Sequence, residues 1–115
     1  MYRDFTIKVY NSEFNGYILE LESCVWIWVG TGNLMSLALS FYPRSTVLMD
    51  VANSQNIHIK SLSSRISNTM KTKQVFFSTD IEEEEPKFWN ELYIGLNSEI
   101  EKAALTTKMS SIKLT

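Results

Sequence analysis

Four residue types are scarce in this chain of 115 residues, which has one cysteine, one histidine, two prolines and four glycines. The single cysteine, Cys24, cannot form a disulfide within the chain, so it favours a reducing compartment. Low proline and glycine, with 21% charged residues and a net charge of −2, are typical neither of disorder nor of a fibrous repeat. We therefore expect a globular, intracellular chain.

The chain also lacks long apolar runs and a concentration of positive charge. Its longest apolar run, residues 25–29, is far shorter than the roughly 20 residues that span a bilayer, and its first residues do not resemble a secretory signal. The nearest approach to a basic patch is a scatter of four side chains, Lys60, Arg65, Lys71 and Lys73. Nucleic acid demands a stronger positive field, so we expect neither a membrane nor a nucleic-acid partner.

What the chain does contain is enough apolar material for one packed core, because 44% of its residues are hydrophobic and 12% are aromatic. Two domains would each be short of core residues. The sequence therefore predicts a single domain over residues 1–104, followed by a weakly patterned C-terminal tail, residues 105–115, which is expected to fray.

Alternation of apolar and polar residues predicts strands in the first part of the chain. Residues 5–9 alternate in this way, and after a turn over residues 11–16 a second strand begins at Tyr17, with its glutamate side facing water. The third strand covers residues 24–29. The links between these strands are too short to cross over to a parallel neighbour, so we expect antiparallel pairing.

Three further strands are predicted. Residues 34–41 form the fourth, although their Leu, Met and Ala residues also favour a helix. Gly32 lies in the turn before it, where a positive φ is often needed. Residues 46–51 form a short fifth strand, and residues 75–77 form the sixth, because β-branched and aromatic residues favour strands.

Apolar residues at helical spacing predict two amphipathic helices. The first covers residues 53–71, Asn53 or Ser54 can cap it, and its buried stripe comprises Ile59, Leu62, Ile66 and Met70. The second begins around the acidic run 82–85 and Pro86, and its stripe comprises Phe88, Trp89, Leu92, Leu96, Ile100 and Ala103 or Ala104. This order predicts an α+β fold, with a mainly antiparallel sheet of about six strands and both helices packed on one face.

Residues that could carry out chemistry are few and scattered. Zinc sites usually need clustered ligands, so the single histidine, His58, is interpreted as a polar residue in the first turn of the helix. A Ser-His-Asp triad would have to be brought together by the fold, with Asp50 or Asp80, and the sequence gives no sign of one. Gly30-Thr31-Gly32 lacks the third glycine or the lysine of a phosphate-binding loop.

Two other features are interpreted as structural. The acidic run 82–85 lacks the spaced Asp and Gly residues of a calcium loop. Cys24 has no basic neighbour in sequence to activate a thiol, so we expect a small core residue. The sequence therefore predicts no catalytic residue, no cofactor and no metal.

The third predicted strand is apolar on both faces. Trp26 and Trp28 project to one face, whereas Val25, Ile27 and Val29 project to the other. A sheet with helices on one side normally has a wet outer face, so a second apolar face implies a second layer. That layer is either the chain's own sheet, curled onto itself, or the sheet of a partner protein.

Three segments together resemble one known family. Trp28-Val29-Gly30 ends a strand, Lys71-Thr72-Lys73-Gln74-Val75-Phe76 leads from a helix into a strand, and the spacing from Asp4-Phe5 to Gly30 is also similar. Each segment alone is short, but in their order and spacing they resemble the proteasome assembly chaperone 4 family over residues 4–102. The chain departs from that family in the loop 43–56 and in the acidic run 82–85.

The resemblance implies a small α+β protein that is not an enzyme. Such a protein pairs with a chaperone-3-like subunit, and the heterodimer assists assembly of the 20S proteasome α-subunit ring by holding an α subunit, the fifth. The resemblance also implies a cytoplasmic and nuclear location. It favours Trp26 and Trp28 as the partner-binding residues at the seam of the heterodimer, with self-association of the isolated chain as a further expectation. Chaperone 3 itself is a rival assignment, because both subunits would share a fold.

Two other classes of function stay open. A longin-like or roadblock-like module of membrane trafficking would also combine a mainly antiparallel sheet with helices and would bind partners without catalysis. A small hydrolase would need a concave pocket with a titratable group of perturbed pKa.

Overall fold

The computed structural model describes residues 2–32, 36–41, 44–50, 56–70 and 73–114. The α+β fold predicted from the sequence is confirmed. The described residues form, in chain order, β1 (Tyr2–Val9), β2 (Ser12–Glu20), β3 (Cys24–Gly30), β4 (Ser36–Phe41), β5 (Arg44–Asp50), α1 (Asn56–Thr69), β6 (Gln74–Thr79) and α2 (Pro86–Leu114).

The strands of the described chain belong to one sheet, in the spatial order β1-β2-β3-β6-β4-β5. Neighbouring strands pair antiparallel, as expected, except for β3 and β6, which pair parallel along residues 24–29 and 74–79. The last strand in sequence therefore enters the sheet between two earlier ones. β3 and β6 lie at the centre of the sheet, which suits strands that are apolar on both faces.

Both helices pack on one face of the sheet, against the side chains of Val25, Ile27 and Val29. On β4 this face is made of small side chains, which let α1 lie close to the strand. These are Ser36, Ala38 and Ser40, each at most 4% exposed. β4 is thus a strand, and the alternative of a helix over residues 34–41 is not realised in the part of it that the structure describes.

The predicted apolar stripes of the helices are confirmed. α1 buries Ile59, Leu62 and Ile66, while Met70 packs partly buried against the same core. The predicted caps of this helix, Asn53 and Ser54, lie outside the described residues. Among the side chains of α2 that the structure describes, the buried ones are Phe88, Trp89, Leu92, Leu96, Glu99, Ile100 and Ala103.

The acidic run 82–85 precedes α2, which begins at Pro86. The Glu85 backbone carbonyl accepts a hydrogen bond from the Phe88 N–H at 3.1 Å, and its carboxylate accepts one from the Lys87 N–H at 3.4 Å. Glu85 thus satisfies two of the N–H groups that a helix start leaves open. At its other end α2 continues to Leu114, and the fraying expected for the tail stays a prediction.

A turn between the first two strands is present as predicted, but its predicted extent over residues 11–16 is wrong. β2 already begins at Ser12, and the turn is formed by Tyr10, at a φ of 55°, and its neighbour. Gly16 lies inside the strand rather than in a turn. A Cβ at this position would meet the ring of Phe5, so no larger residue fits there. Close approach of a neighbouring side chain explains this glycine. Gly32, by contrast, has the expected positive φ, at 144°.

The predicted wet side of β2 is also wrong. Ile18 is 2% exposed and belongs to the core under the helices. Glu20 is half-buried, and its carboxylate forms a salt bridge with the Lys73 ammonium at 3.2 Å. Tyr17 and Leu19, which alternate with these residues, are half-buried on the opposite face. β2 therefore carries apolar side chains on both faces of the sheet.

Candidate protein-binding face

The sheet face opposite the helices carries Trp26 and Trp28. Side chains alternate along a strand, so the burial of Val25, Ile27 and Val29 under α1 and α2 turns both tryptophans to the other side, where they are half-buried. Neither helix of the described chain packs on that side. We call it the outer face, defined by Tyr2, Tyr17, Leu19, Trp26, Trp28, Leu37, Leu39 and Phe76.

The pairing register aligns these side chains across the sheet. Tyr2 pairs with Leu19, and Leu19 pairs with Trp26. Trp26 pairs with Phe76, which in turn pairs with Leu39. An unbroken row of apolar side chains therefore crosses β1, β2, β3, β6 and β4.

Aromatic stacking fixes the tryptophans in place. The rings of Trp26 and Phe76 stack with their centroids 5.1 Å apart and an angle of 13° between their planes. The ring of Tyr17 lies between Tyr2 and Trp28, at centroid distances of 5.7 Å and 6.0 Å. Aromatic pairs of this kind contribute about 0.5–1.5 kcal/mol each beyond their buried area. The outer face is thus ordered before any other molecule covers it.

Polar side chains border the apolar row on β1 and β2. The Tyr2 hydroxyl donates a hydrogen bond to the Asp4 carboxylate at 2.7 Å, and this bond raises the pKa of Tyr2 because it favours the neutral phenol. Nearby, the Thr6 hydroxyl donates to the side-chain oxygen of Asn15 at 3.3 Å. An apolar centre with a polar rim is typical of surfaces that bind proteins.

The residues considered for catalysis or metal binding have structural contacts. His58 lies in the first turn of α1, as predicted, and its ring stacks on Trp89 with the centroids 5.7 Å apart. The Asp80 carboxylate accepts hydrogen bonds from the Thr31 N–H and hydroxyl, each at 2.7 Å. A Cβ on Gly30 would meet that same carboxylate. Within the described ranges, no group of three or more His, Cys, Asp or Glu side chains could hold a metal ion.

The prediction that Cys24 is a core residue is wrong. It is half-buried at the beginning of β3, and alternation places it on the side of Trp26 rather than under the helices. The apolar run that contains it therefore did not indicate which face each residue occupies.

Sequence reasoning identified the two tryptophans of the outer face but missed their partners, Tyr17, Leu19, Leu39 and Phe76. A signal for Phe76 was available, because it lies between Val75 and Phe77 and makes β6 apolar on both faces, as β3 is. Leu39 was correctly separated from Ser36, Ala38 and Ser40, but nothing in the sequence indicated which set would face the helices. The outer face is an assembly of distant segments, so it becomes visible only with the strand order.

In comparisons with known proteins, no family model and no curated protein matches this chain. The resemblance to the proteasome assembly chaperone 4 family therefore stays a prediction from the segments quoted above. Among the helices of the described residues, none is long and apolar enough to span a membrane.

Proposed function

We propose that this chain is a protein-binding subunit whose outer face pairs with a partner protein. The observation that carries the proposal is the apolar row from Tyr2 to Leu39, on which neither described helix packs. Aromatic side chains bury large areas at a low cost in conformational entropy, and Trp and Tyr are enriched among the residues that dominate binding energy. Trp26 and Trp28, at the centre of the row, are the expected anchors.

The mode of pairing that suits this surface is sheet against sheet. Two sheets pack face to face about 10 Å apart, with the side chains of the inner faces interdigitating. The stacked pair of Trp26 and Phe76 would then fill the centre of the seam, and the polar side chains of Asp4 and Thr6 would lie at its border. A second copy of the chain offers the same apolar row, so we expect the isolated chain to self-associate through it.

We further propose that the chain acts as a proteasome assembly chaperone of the chaperone 4 type. The support is the resemblance in the segments 28–30 and 71–76 and in the spacing that precedes them. The partner is then a chaperone-3-like subunit, and the heterodimer holds an α subunit, the fifth, while the α ring of the 20S core particle assembles. The chain acts by binding, without a catalytic step or a cofactor, in the cytoplasm and the nucleus.

Affinity purification of the tagged chain from its cells of origin tests the chaperone assignment. We expect recovery of 20S α subunits together with a second small chaperone. Recovery of membrane-traffic proteins instead would contradict the chaperone assignment and favour the longin-like or roadblock-like alternative. Recovery of neither group would contradict the chaperone assignment without replacing it.

A further inference from the structure

A groove of about 690 Å³ lies between α1 and the strand β5. Its lining includes three cationic side chains, Arg44 from β5 and Lys60 and Arg65 from α1. Among the described lining residues, the others are serines, a threonine and Ile57, and none is a carboxylate. This volume is within the range of about 300–1,000 Å³ that is usual for ligand pockets.

The three cations of this α1–β5 groove form no salt bridge with any carboxylate of the described chain. The described carboxylates that do form salt bridges, Glu20 and Glu99, bind cations elsewhere. The whole chain has a net charge of −2, so the groove is a local positive field on an acidic protein. Such a field attracts acidic groups and selects against basic ones.

Arg65 is held in position by side chains of α2. Its guanidinium carbon lies 3.8 Å from the centroid of the Tyr93 ring, and its Nη2 donates a hydrogen bond to Oδ1 of Asn90 at 3.3 Å. A guanidinium has five N–H donors, so others remain for a ligand. Because its position is already fixed, Arg65 loses less conformational entropy on binding a carboxylate than a mobile side chain would.

The strand that forms one wall of the groove is at the edge of the sheet. β5 pairs with β4 on one side, and no strand in the described part of the chain pairs with its other side. Open N–H and C=O groups along such an edge can bind an extended segment as an additional strand. The groove thus combines backbone partners on β5 with positive charge on α1.

The spacing of the charges fits an extended chain better than a single ion. Lys60 and Arg65 are about 7.5 Å apart along the axis of α1 and about 140° apart around it, so they do not converge on one point. Side chains on one face of an extended strand repeat every 6.6 Å or so. An inorganic ion would need donors that converge on one point. At the other end of the lining, Ile57 is 73% exposed and offers an apolar contact.

We propose that the α1–β5 groove binds an extended acidic segment of a partner protein. The segment adds to the open edge of β5, carboxylates at alternating positions on the side of α1 bind Lys60 and Arg65, and Arg44 adds to the positive charge at this edge. The site does not depend on the outer face, because α1 lies on the opposite side of the sheet. The two proposals can therefore fail separately.

Fluorescence anisotropy tests this proposal. The full chain is titrated into a fluorescein-labelled peptide in which Glu alternates with Thr. We expect binding that weakens about tenfold in Lys60→Glu and that falls as salt is added. The matched control is Lys8→Glu, an equal change of charge on β1 at the opposite edge, which should leave the affinity unchanged. Amide hydrogen exchange in β5 should slow when the peptide binds, and the same peptide with Gln in place of Glu should not bind.

Several results would overturn the proposal. Equal weakening by Lys60→Glu and Lys8→Glu, or unchanged exchange in β5, would indicate non-specific attraction. Tighter binding of a single-stranded oligonucleotide of equal charge, or full displacement of the peptide by inorganic phosphate, would indicate a phosphate site instead. Circular dichroism checks that each variant is folded, and Lys60→Gln replaces Lys60→Glu if it is not. Trp26→Lys should retain peptide affinity, which separates this site from the outer face.

Discussion

Asp80 is a buried carboxylate that connects the end of β6 to the turn after β3. Its two oxygens accept hydrogen bonds from the Thr31 N–H and hydroxyl, each at 2.7 Å. We expect Asp80→Ala to lower the free energy of unfolding by about 2–3 kcal/mol, because hydrogen bonds to a charged group contribute more than neutral ones. Thr31→Val removes only the hydroxyl bond and should cost about 1 kcal/mol. Urea denaturation measures both, and equal costs would contradict this role.

Tyr2 is the residue whose titration reports on the rim of the outer face. Its pKa is raised above the ordinary value of 10.0, first by the hydrogen bond to Asp4 and also by the negative charge of that carboxylate. A folded pKa above the unfolded one stabilises the folded chain below about pH 10, and this contribution is lost as the pH rises through the folded pKa. Asp4→Asn should therefore lower the pKa of Tyr2 toward its ordinary value.

Ultraviolet absorbance of the phenolate measures this titration, and Tyr2→Phe identifies the part of the signal that belongs to Tyr2. The lysines and the other tyrosines of the chain stay unchanged in both variants. If the Tyr2 titration were the same in Asp4→Asn as in the unaltered chain, the hydrogen bond would not be the cause of the shift.

At the scale of the element, β2 offers a matched test of its two faces. Ile18 is 2% exposed under the helices, whereas the neighbouring Leu19 is half-buried on the outer face. Ile18→Ala should cost about 3 kcal/mol, because it opens a cavity in the core. Leu19→Ala should cost about 1 kcal/mol, because Leu19 is only half-buried in the isolated chain. Chemical denaturation of both variants measures the difference, and a Leu19→Ala cost as large as that of Ile18→Ala would show that the outer face is part of the internal core.

The elements that sequence reasoning predicted well are those whose pattern is local. The helical spacing of Ile59, Leu62 and Ile66 predicts the buried stripe of α1, because helical geometry relates these residues without reference to the rest of the fold. The alternation around Ile7 predicts β1 in the same way. Gly16 misled the prediction because the close approach of the Phe5 ring involves another strand, and no local pattern records it.

The parallel pairing of β3 with β6 could not be predicted from local sequence patterns. It joins residues 24–29 to residues 74–79, with two strands and α1 between them in sequence. One signal indicated a central place in the sheet for β3 and β6, namely that both strands are apolar on both sides. Trp26 and Phe76 lie on one side, and Val25 and Val75 lie on the other. The strand order then decided which apolar side chains became neighbours.

The candidate site was predictable to the extent that one strand reveals it. Trp26 and Trp28 were identified because β3 is apolar on both faces, and that left two interpretations, an internal core and a partner seam. The helices cover the side of Val25 and Val29 instead, so both tryptophans lie outside the core of the described chain. The choice between the faces depended on small side chains such as Ala38, which let α1 approach one side of the sheet.

At the scale of the whole molecule, two surfaces of different chemistry lie on opposite sides of the sheet. The outer face is apolar and aromatic, which suits a large and stable protein interface. The α1–β5 groove is cationic and lies at an open edge, which suits a short acidic segment. In our proposal the outer face pairs this chain with another subunit and leaves the groove free for a second protein. A subunit that joins two proteins in this way needs no reacting group.

The most direct test of the central claim compares what the chain captures when its outer face is altered. Tagged chains carrying Trp26→Lys, or Ile94→Lys as a control on the exposed side of α2, are captured alongside the unaltered chain after circular dichroism has verified folding. We predict that the unaltered and Ile94→Lys chains recover the same small partner, and that Trp26→Lys recovers at least about tenfold less of it. Equal recovery of that partner by the Trp26→Lys chain would contradict the claim that the outer face binds it.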